Sequence, residues 1–241
     1  MPQRTPLYDA HLELGAKMVD FGGWDMPLSY GSQIEEHHAV RRHAGVFDVS
    51  HMLNLDVGGP DAQAFLRHLL ANDVARIVGK PGKAIYSCML RPDGGVVDDL
   101  IVYFFAPENW RVVGNAGTAD KDVAWMRDCA REGGFDVNVA PRRDLAMLAI
   151  QGPEARDKVW TVRPDWKPAS AELKPFSGTR IDENVLVART GYTGEDGFEV
   201  VLPVGQVLAL WNDLLAAGVH PCGLGARAIP TAGANRPCLP R

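Results

Sequence analysis

Ala84-Ile-Tyr-Ser-Cys-Met-Leu-Arg-Pro-Asp-Gly-Gly-Val-Val-Asp-Asp-Leu-Ile-Val-Tyr-Phe-Phe105 decides the fold class of this chain. Residues 84–90 and 96–105 are two strand-like runs, and Arg91-Pro92-Asp93-Gly94-Gly95 between them is a hairpin turn. Pro presets one turn residue and Gly accepts a positive φ, so the flanking strands run antiparallel. Working outward, further strands are expected at 53–57, 111–114, 145–151, 185–189 and 198–202. Helices interrupt them. Ser32-Gln-Ile-Glu35 is a capping-box pattern that opens a helix through His37, His38 and Val40, with Gly45 as its closing glycine. Ala62, Phe65, Leu66, Leu69 and Leu70 recur at helical spacing, as do Val123, Met126 and Ala130 after Thr118. A fourth helix is expected over 204–217, with Val207, Leu208, Trp211, Leu214 and Leu215 inward and Gly218 ending it. Antiparallel strands mixed with helices read as α+β. The stretch 162–175, with Pro164, Pro168 and Pro175, is expected as a long surface loop.

With 241 residues the chain can bury a real core as one large domain or two small ones. A net charge of −5 argues against nucleic acid as a partner, since phosphate contact wants a basic face. No apolar run approaches the roughly 18 residues of a membrane span. The start, MPQRTPLYDA, has no apolar segment of a secretory leader. Cys88, Cys129, Cys222 and Cys238 are scattered without metal-ligand spacing, so no metal is expected and a reduced, cytoplasmic setting is.

Three segments could carry chemistry. Asp98-Asp99 follows the hairpin turn inside an apolar strand, and successive strand residues face opposite ways, so the two carboxylates cannot share one pocket. One parity holds Asp99, Ile101, Tyr103 and Phe105, and the other holds Asp98, Leu100, Val102 and Phe104. At least one acid therefore sits beside apolar surface, where an unpaired charge is costly. Pairing with a cation or turn amides is the plain alternative. The second segment is Gly191-Tyr-Thr-Gly-Glu-Asp-Gly197, whose glycines suit a backbone that approaches something closely, although on these residues alone an ordinary hairpin loop is the favoured reading. Glu199 stands out just beyond it, a carboxylate among Phe198, Val200, Val201 and Leu202. The third, Asp48-Val-Ser-His-Met52, is rejected as a triad because neighbours on an extended chain cannot converge on one proton. His37, His38 and His43 lack metal-ligand spacing and read as a solvated helix face, and Cys88 reads as a small core residue.

Together, TPLYDAH (5–11), MVDFGGWDMPLSYGSQIEEHHAVRRHAGVFDVSHM (18–52), GGVVDDLIVYFF (94–105), NAGTADKD (115–122), QGP (151–153), GYTGEDGFE (191–199) and PCGLGAR (221–227) resemble the aminomethyltransferase of the glycine cleavage system, the T-protein, in its bacterial form. The resemblance runs in one consistent order over 5–227. It implies a three-lobed cloverleaf with tetrahydrofolate in a central channel, of which residues 4–227 supply two lobes. It also implies the reaction: the one-carbon unit on the aminomethyl-lipoyl arm of H-protein passes to tetrahydrofolate, ammonia is released, and 5,10-methylenetetrahydrofolate forms. The family's essential acid falls on Asp99, where an oriented carboxylate can manage folate protons and stabilise positive charge on the transferring carbon. The pterin-binding glutamate falls on Glu199, whose two oxygens match two pterin N–H donors. Tyr192, Met52 and Asn115 fall on pocket positions, and Arg227 on a folate-binding arginine.

Residues 228–241, AIPTAGANRPCLPR, depart from the family pattern and are expected to be an aberrant tail in place of a β-rich C-terminal domain. Two function classes therefore stand side by side. One is an aminomethyltransferase. The other is a folate-binding fragment without catalysis, such as the inactive remnant of a disrupted gene. Loss of a lobe would leave apolar surface uncovered and the folate channel wet, with aggregation and negligible transfer as the expectation.

Overall fold

The structure, a computed structural model, describes residues 2–227. The reading of 228–241 as a tail lies outside the described residues. The chain divides into two compact units. One comprises residues 2–51, 144–175 and 179–227; the other is Met52–Arg143 with Phe176–Gly178.

The second unit is built on the hairpin. Gly94 has φ 83°, and the Arg91 N–H donates to the Gly95 carbonyl at 2.8 Å, closing the turn. Its five-stranded sheet has the order Ala84–Leu90, Val96–Ala106, Asn109–Gly114, Leu53–Gly58, Asn138–Pro141, antiparallel throughout. Helices Ala62–Leu69 and Ala119–Gly133 contribute Phe65, Leu66, Leu69, Val123 and Met126 to one core with Leu55, Leu100, Val102, Phe104 and Trp110. That core fixes the register, because a one-residue slip would turn Leu100, Val102 and Phe104 away from the helices.

In the first unit a six-stranded sheet runs Gly178–Arg180, Leu186–Ala188, Gly197–Pro203, Leu145–Gln151, Gly45–Asp48, His220–Pro221. His220–Pro221 lies parallel to Gly45–Asp48, while Leu145–Gln151 is antiparallel to both its neighbours. Helices Ala155–Val162 and Val204–Ala216 pack with Val46, Leu148, Ile150, Phe198 and Val200 into a second core. A smaller sheet joins Gln3–Arg4, Trp24–Ser29 and Lys17–Phe21. Both units are mixed α and β, as the hairpin implied. Among the described residues, no helix is long and apolar enough to cross a membrane.

Several local expectations are corrected. Helix Gln33–Arg42 has Ser32 as its N-cap, with the hydroxyl accepting from the Glu35 N–H at 3.3 Å, but it ends before Gly45. Gly45 instead begins a strand, and it is glycine because a Cβ there would lie 2.5 Å from Val40 Cγ2 and 2.7 Å from Cys222 Sγ. The segment expected as a long loop forms helical turns, Pro164–Trp166 and Lys167–Ser170, each with proline in its first turn where the missing N–H costs nothing, and Trp166 is buried. Leu208 is exposed and Leu210 takes the inward position. His37 is buried, its Nδ1 3.1 Å from the Ala226 carbonyl, and Cys88 is only half-buried.

Candidate functional site

Strand parity separates the two adjacent acids as their sequence positions require. Asp98 shares its face with Leu100, Val102 and Phe104, toward helix Ala119–Gly133, and Asp99 lies on the other face opposite Cys88. Thr118, the residue that precedes this helix, donates its hydroxyl to Asp98 Oδ2 at 2.5 Å. Asn115 follows the strand Asn109–Gly114, and its Nδ2 reaches three acceptors: Asp98 Oδ1 at 2.9 Å, the Asp99 carbonyl at 3.2 Å and Asp99 Oδ1 at 3.4 Å. One amide thus ties the half-buried Asp99 carboxylate to Asp98. Burial pushes the Asp98 carboxyl up, but the polar groups around it, Asp122 first and then the Thr118 and Asn115 hydrogen bonds, outweigh burial and hold it below the usual carboxylate range. Met52, the first residue of this unit, is half-buried before strand Leu53–Gly58.

Glu199, Tyr192 and Arg227 are brought together in the other unit. Glu199 pairs across the sheet with Ala149 and Ala188, on the face opposite the one where Phe198, Val200 and Leu202 meet the helices. The Thr190 hydroxyl donates to its Oε2 at 2.5 Å. Burial raises the Glu199 carboxyl despite help from Thr190 and the Arg227 charge, and burial lowers the Arg227 guanidinium despite Glu199 and Tyr192. Both shifts point the same way: desolvation outweighs the mutual attraction of this pair. The Arg227 guanidinium lies 4.7 Å from the centre of the Tyr192 ring, a cation–π contact.

The glycine-rich loop is held from beneath by Gln151. Its Nε2 donates to the Ile150 and Thr190 carbonyls at 3.1 and 3.2 Å, and its Oε1 accepts from the Thr193 hydroxyl at 3.0 Å. The loop is clamped at its edge by Arg41 on Glu195 at 2.7 Å and by Arg189 on Asp196 at 2.7 Å. A Cβ at Gly191 would lie 1.9 Å from Gln151 Oε1, so only glycine lets the loop sit this low. Gly191→Ala is expected to cost about 1–3 kcal/mol by overpacking against this buried amide. Urea denaturation checks it, and an unchanged midpoint would contradict the tight fit.

The sequence reading missed a buried chain of polar groups. His11, wholly inside, places Nε2 2.9 Å from Asp48 Oδ2 and Nδ1 2.8 Å from the Tyr30 hydroxyl. Burial and the Asp48 charge keep the Tyr30 phenol protonated, and Nε2 carries the hydrogen that faces the Asp48 carboxylate. Asp48 is held below its usual value because the His11 bond and charge, with Ser50 and Thr5, outweigh burial. His51, by contrast, is pushed down to about 4, mainly by burial, with Arg227 adding to the effect and Asp48 opposing it. His51 is thus neutral at neutral pH. The signal for His11 was present in TPLYDAH, but its partner lies 37 residues away. Among the described residues no cluster of His, Cys, Asp or Glu could hold a metal ion.

Fold and site define an α+β protein of two sheet-and-helix units, each carrying an acid oriented by a threonine hydroxyl, Asp98 by Thr118 and Glu199 by Thr190. The chain belongs to the GCVT family: the model of the GCVT N-terminal domain matches residues 7–232. It is 70% identical over 225 residues to an aminomethyltransferase of Bordetella petrii, covering 93% of this chain and 61% of that protein. An aminomethyltransferase of Burkholderia mallei is 58% identical over 227 residues, with 92% and 61% covered. The crystal structure of glycine cleavage system aminomethyltransferase T from Bartonella henselae superposes with a TM-score of 0.86 at 38% identity, over 94% of this chain and 61% of that one. The chain thus spans about three-fifths of the length of the relatives it matches.

Proposed function

We propose that this chain carries the pterin-reading carboxylate and the acid of an aminomethyltransferase that passes a one-carbon unit from the aminomethyl-lipoyl arm of H-protein to tetrahydrofolate. Ammonia leaves, the lipoyl arm departs as the dithiol, and 5,10-methylenetetrahydrofolate forms. The observation that carries the reading is Glu199: a half-buried carboxylate whose charge is under-compensated, beside Arg227 and Tyr192. Its oxygens offer about four acceptor sites, of which Thr190 takes one. A pterin edge with two adjacent N–H donors fits what remains and relieves the desolvation that raises this carboxyl. Arg227 and Tyr192 complete the binding set, and Met52 and Asn115 are assigned to the pocket around Asp99. Asp99 is the group that receives or returns a proton at the folate nitrogens and opposes positive charge on the transferring carbon.

Glu199→Gln keeps the size but turns one acceptor into a donor facing a donor, a mismatch worth about 1–3 kcal/mol. Tetrahydrofolate affinity, read by calorimetry on the 241-residue chain, is therefore expected to weaken by roughly tenfold or more. The pH dependence has a defined sign. Because the free carboxyl is raised and the ligand needs it ionised, affinity climbs as pH rises through the Glu199 pKa and then levels off. In Glu199→Gln that climb is absent. An unchanged dissociation constant in the variant removes Glu199 from the site.

A second reading is a folate-binding module without catalysis, since Glu199, Arg227 and Tyr192 lie together within one unit. Binding with the Glu199 dependence above, but no methylenetetrahydrofolate formed from aminomethylated H-protein, is its signature.

A further inference from the structure

Helix Ala119–Gly133 contributes one acid, Asp122, to which the family resemblance assigns no role. Asp122 is 2% exposed, and among the described residues no N–H or O–H reaches either carboxyl oxygen with hydrogen-bond geometry. A buried carboxylate with no donor on either oxygen would carry a large uncompensated cost. The charged groups acting on it are few. Asp98 faces it from strand Val96–Ala106, and Lys121 on its own helix places Nζ 3.9 Å away, too far for a hydrogen bond, while donating to the Val97 carbonyl at 2.7 Å. Helix Ala62–Leu69, packed on the same helix, presents Phe65, Leu66 and Leu69 to the core, and Arg143, beyond strand Asn138–Pro141, is engaged by Asp120 at 3.5 Å. The Thr118 hydroxyl also acts on Asp122, but its one hydrogen goes to Asp98 Oδ2. With that donor engaged, Asp122 is satisfied by holding a proton and donating it to the facing carboxylate.

We propose that Asp122 is a positioning residue: as a carboxylic acid it donates to the Asp98 carboxylate, and through Asp98 it fixes the Asn115 amide that orients Asp99. The assignment of Asp99 as the reacting acid rests on the function proposed above; the relay from Asp122 to Asn115 does not. Asp98 then holds three donors at once, from Asp122, Thr118 and Asn115, and each constrains the next. Burial, followed by the facing Asp98, raises Asp122 to about 7, so the relay is intact below that pH and broken above it. Loss of the proton places two carboxylates face to face, and the Asn115 amide must answer by moving toward or away from Asp98.

The test is NMR on the isotope-labelled 241-residue chain between pH 5 and 9, following the Asp122 carboxyl carbon and the Asn115 side-chain amide. Asp122 is expected to titrate with a midpoint near 7, and the Asn115 amide resonances to shift with the same midpoint. Asp122→Asn keeps a neutral donor toward Asp98, so its Asn115 resonances should match the low-pH wild-type positions and stay there across the range. Asp122→Ala removes the donor, and its Asn115 resonances should depart from those positions at every pH. An Asn115 amide that ignores pH in the wild type, or that titrates equally in Asp122→Asn, overturns the relay. If instead the relay titrates as described while Asp99→Asn leaves transfer intact, the positioning network stands and the catalytic reading of Asp99 fails.

Discussion

Asp99→Asn is expected to lower methylenetetrahydrofolate formation by about 10²–10⁴-fold, the usual contribution of a positioned proton-transfer group. The substitution keeps size and the contact with Asn115 but replaces the carboxylate that would take up the proton with an amide. Because the chain spans 61% of the Bordetella petrii relative, the assay should carry the equivalent substitution in that whole protein as well as in this chain. Asp98→Asn serves as the comparison. Asp98 lies on the helix-packed face under Thr118 and Asn115, so its loss is felt first in stability and only through Asn115 in the rate. A substantially larger rate loss is therefore expected from Asp99→Asn than from Asp98→Asn. Equal losses from both, with folding intact, would remove the distinction that strand parity draws.

His11→Ala is expected to destabilise the fold by about 3–5 kcal/mol, because it leaves the wholly buried Asp48 carboxylate without its hydrogen-bond partner. For a chain of this size that corresponds to a fall in Tm on the order of 10 °C. Tyr30→Phe removes only the far hydroxyl of the same chain of groups and should cost about 1 kcal/mol. The pH dependence separates a charge effect from a packing effect. The folded-state pKa of Asp48 is depressed, so its contribution is present above the ordinary carboxylate pKa and is lost as pH falls through the depressed value. In His11→Ala the same carboxyl is free to take up a proton, so the gap between wild type and variant should narrow as pH falls from 7 toward 4. Urea denaturation at both ends of that range measures it. A gap independent of pH would mean that His11 acts by filling space beside Trp211, whose ring lies 5.3 Å away.

Much of this protein was legible in its residues because the physics concerned is local. Pro92 and Gly94 specify the hairpin, and alternation along 96–105 already placed Asp98 and Asp99 on opposite faces before any partner was known. Helix-spaced apolar residues located Ala62–Leu69 and Ala119–Gly133, since a buried stripe must recur with the turn of the helix itself. Glu199 was visible as a carboxylate among apolar neighbours, and the glycines before it as a loop that approaches something closely. What that something is, Gln151, could not be read, because strand Leu145–Gln151 comes beside Gly197–Pro203 only through sheet pairing across the chain.

The prolines at 164 and 168 misled for a related reason: proline ends a helix from within but is accepted in its first turn, and Trp166 found a core to enter. His11 with Asp48, Asp122 with Asp98, and Gly45 against Cys222 are likewise decisions of tertiary structure. In each, neither residue carries a local preference for the other. The pairing arises when burial strips both groups of water, or brings two backbones closer than a side chain allows, so that only the residue brought opposite can supply the missing partner or the missing space.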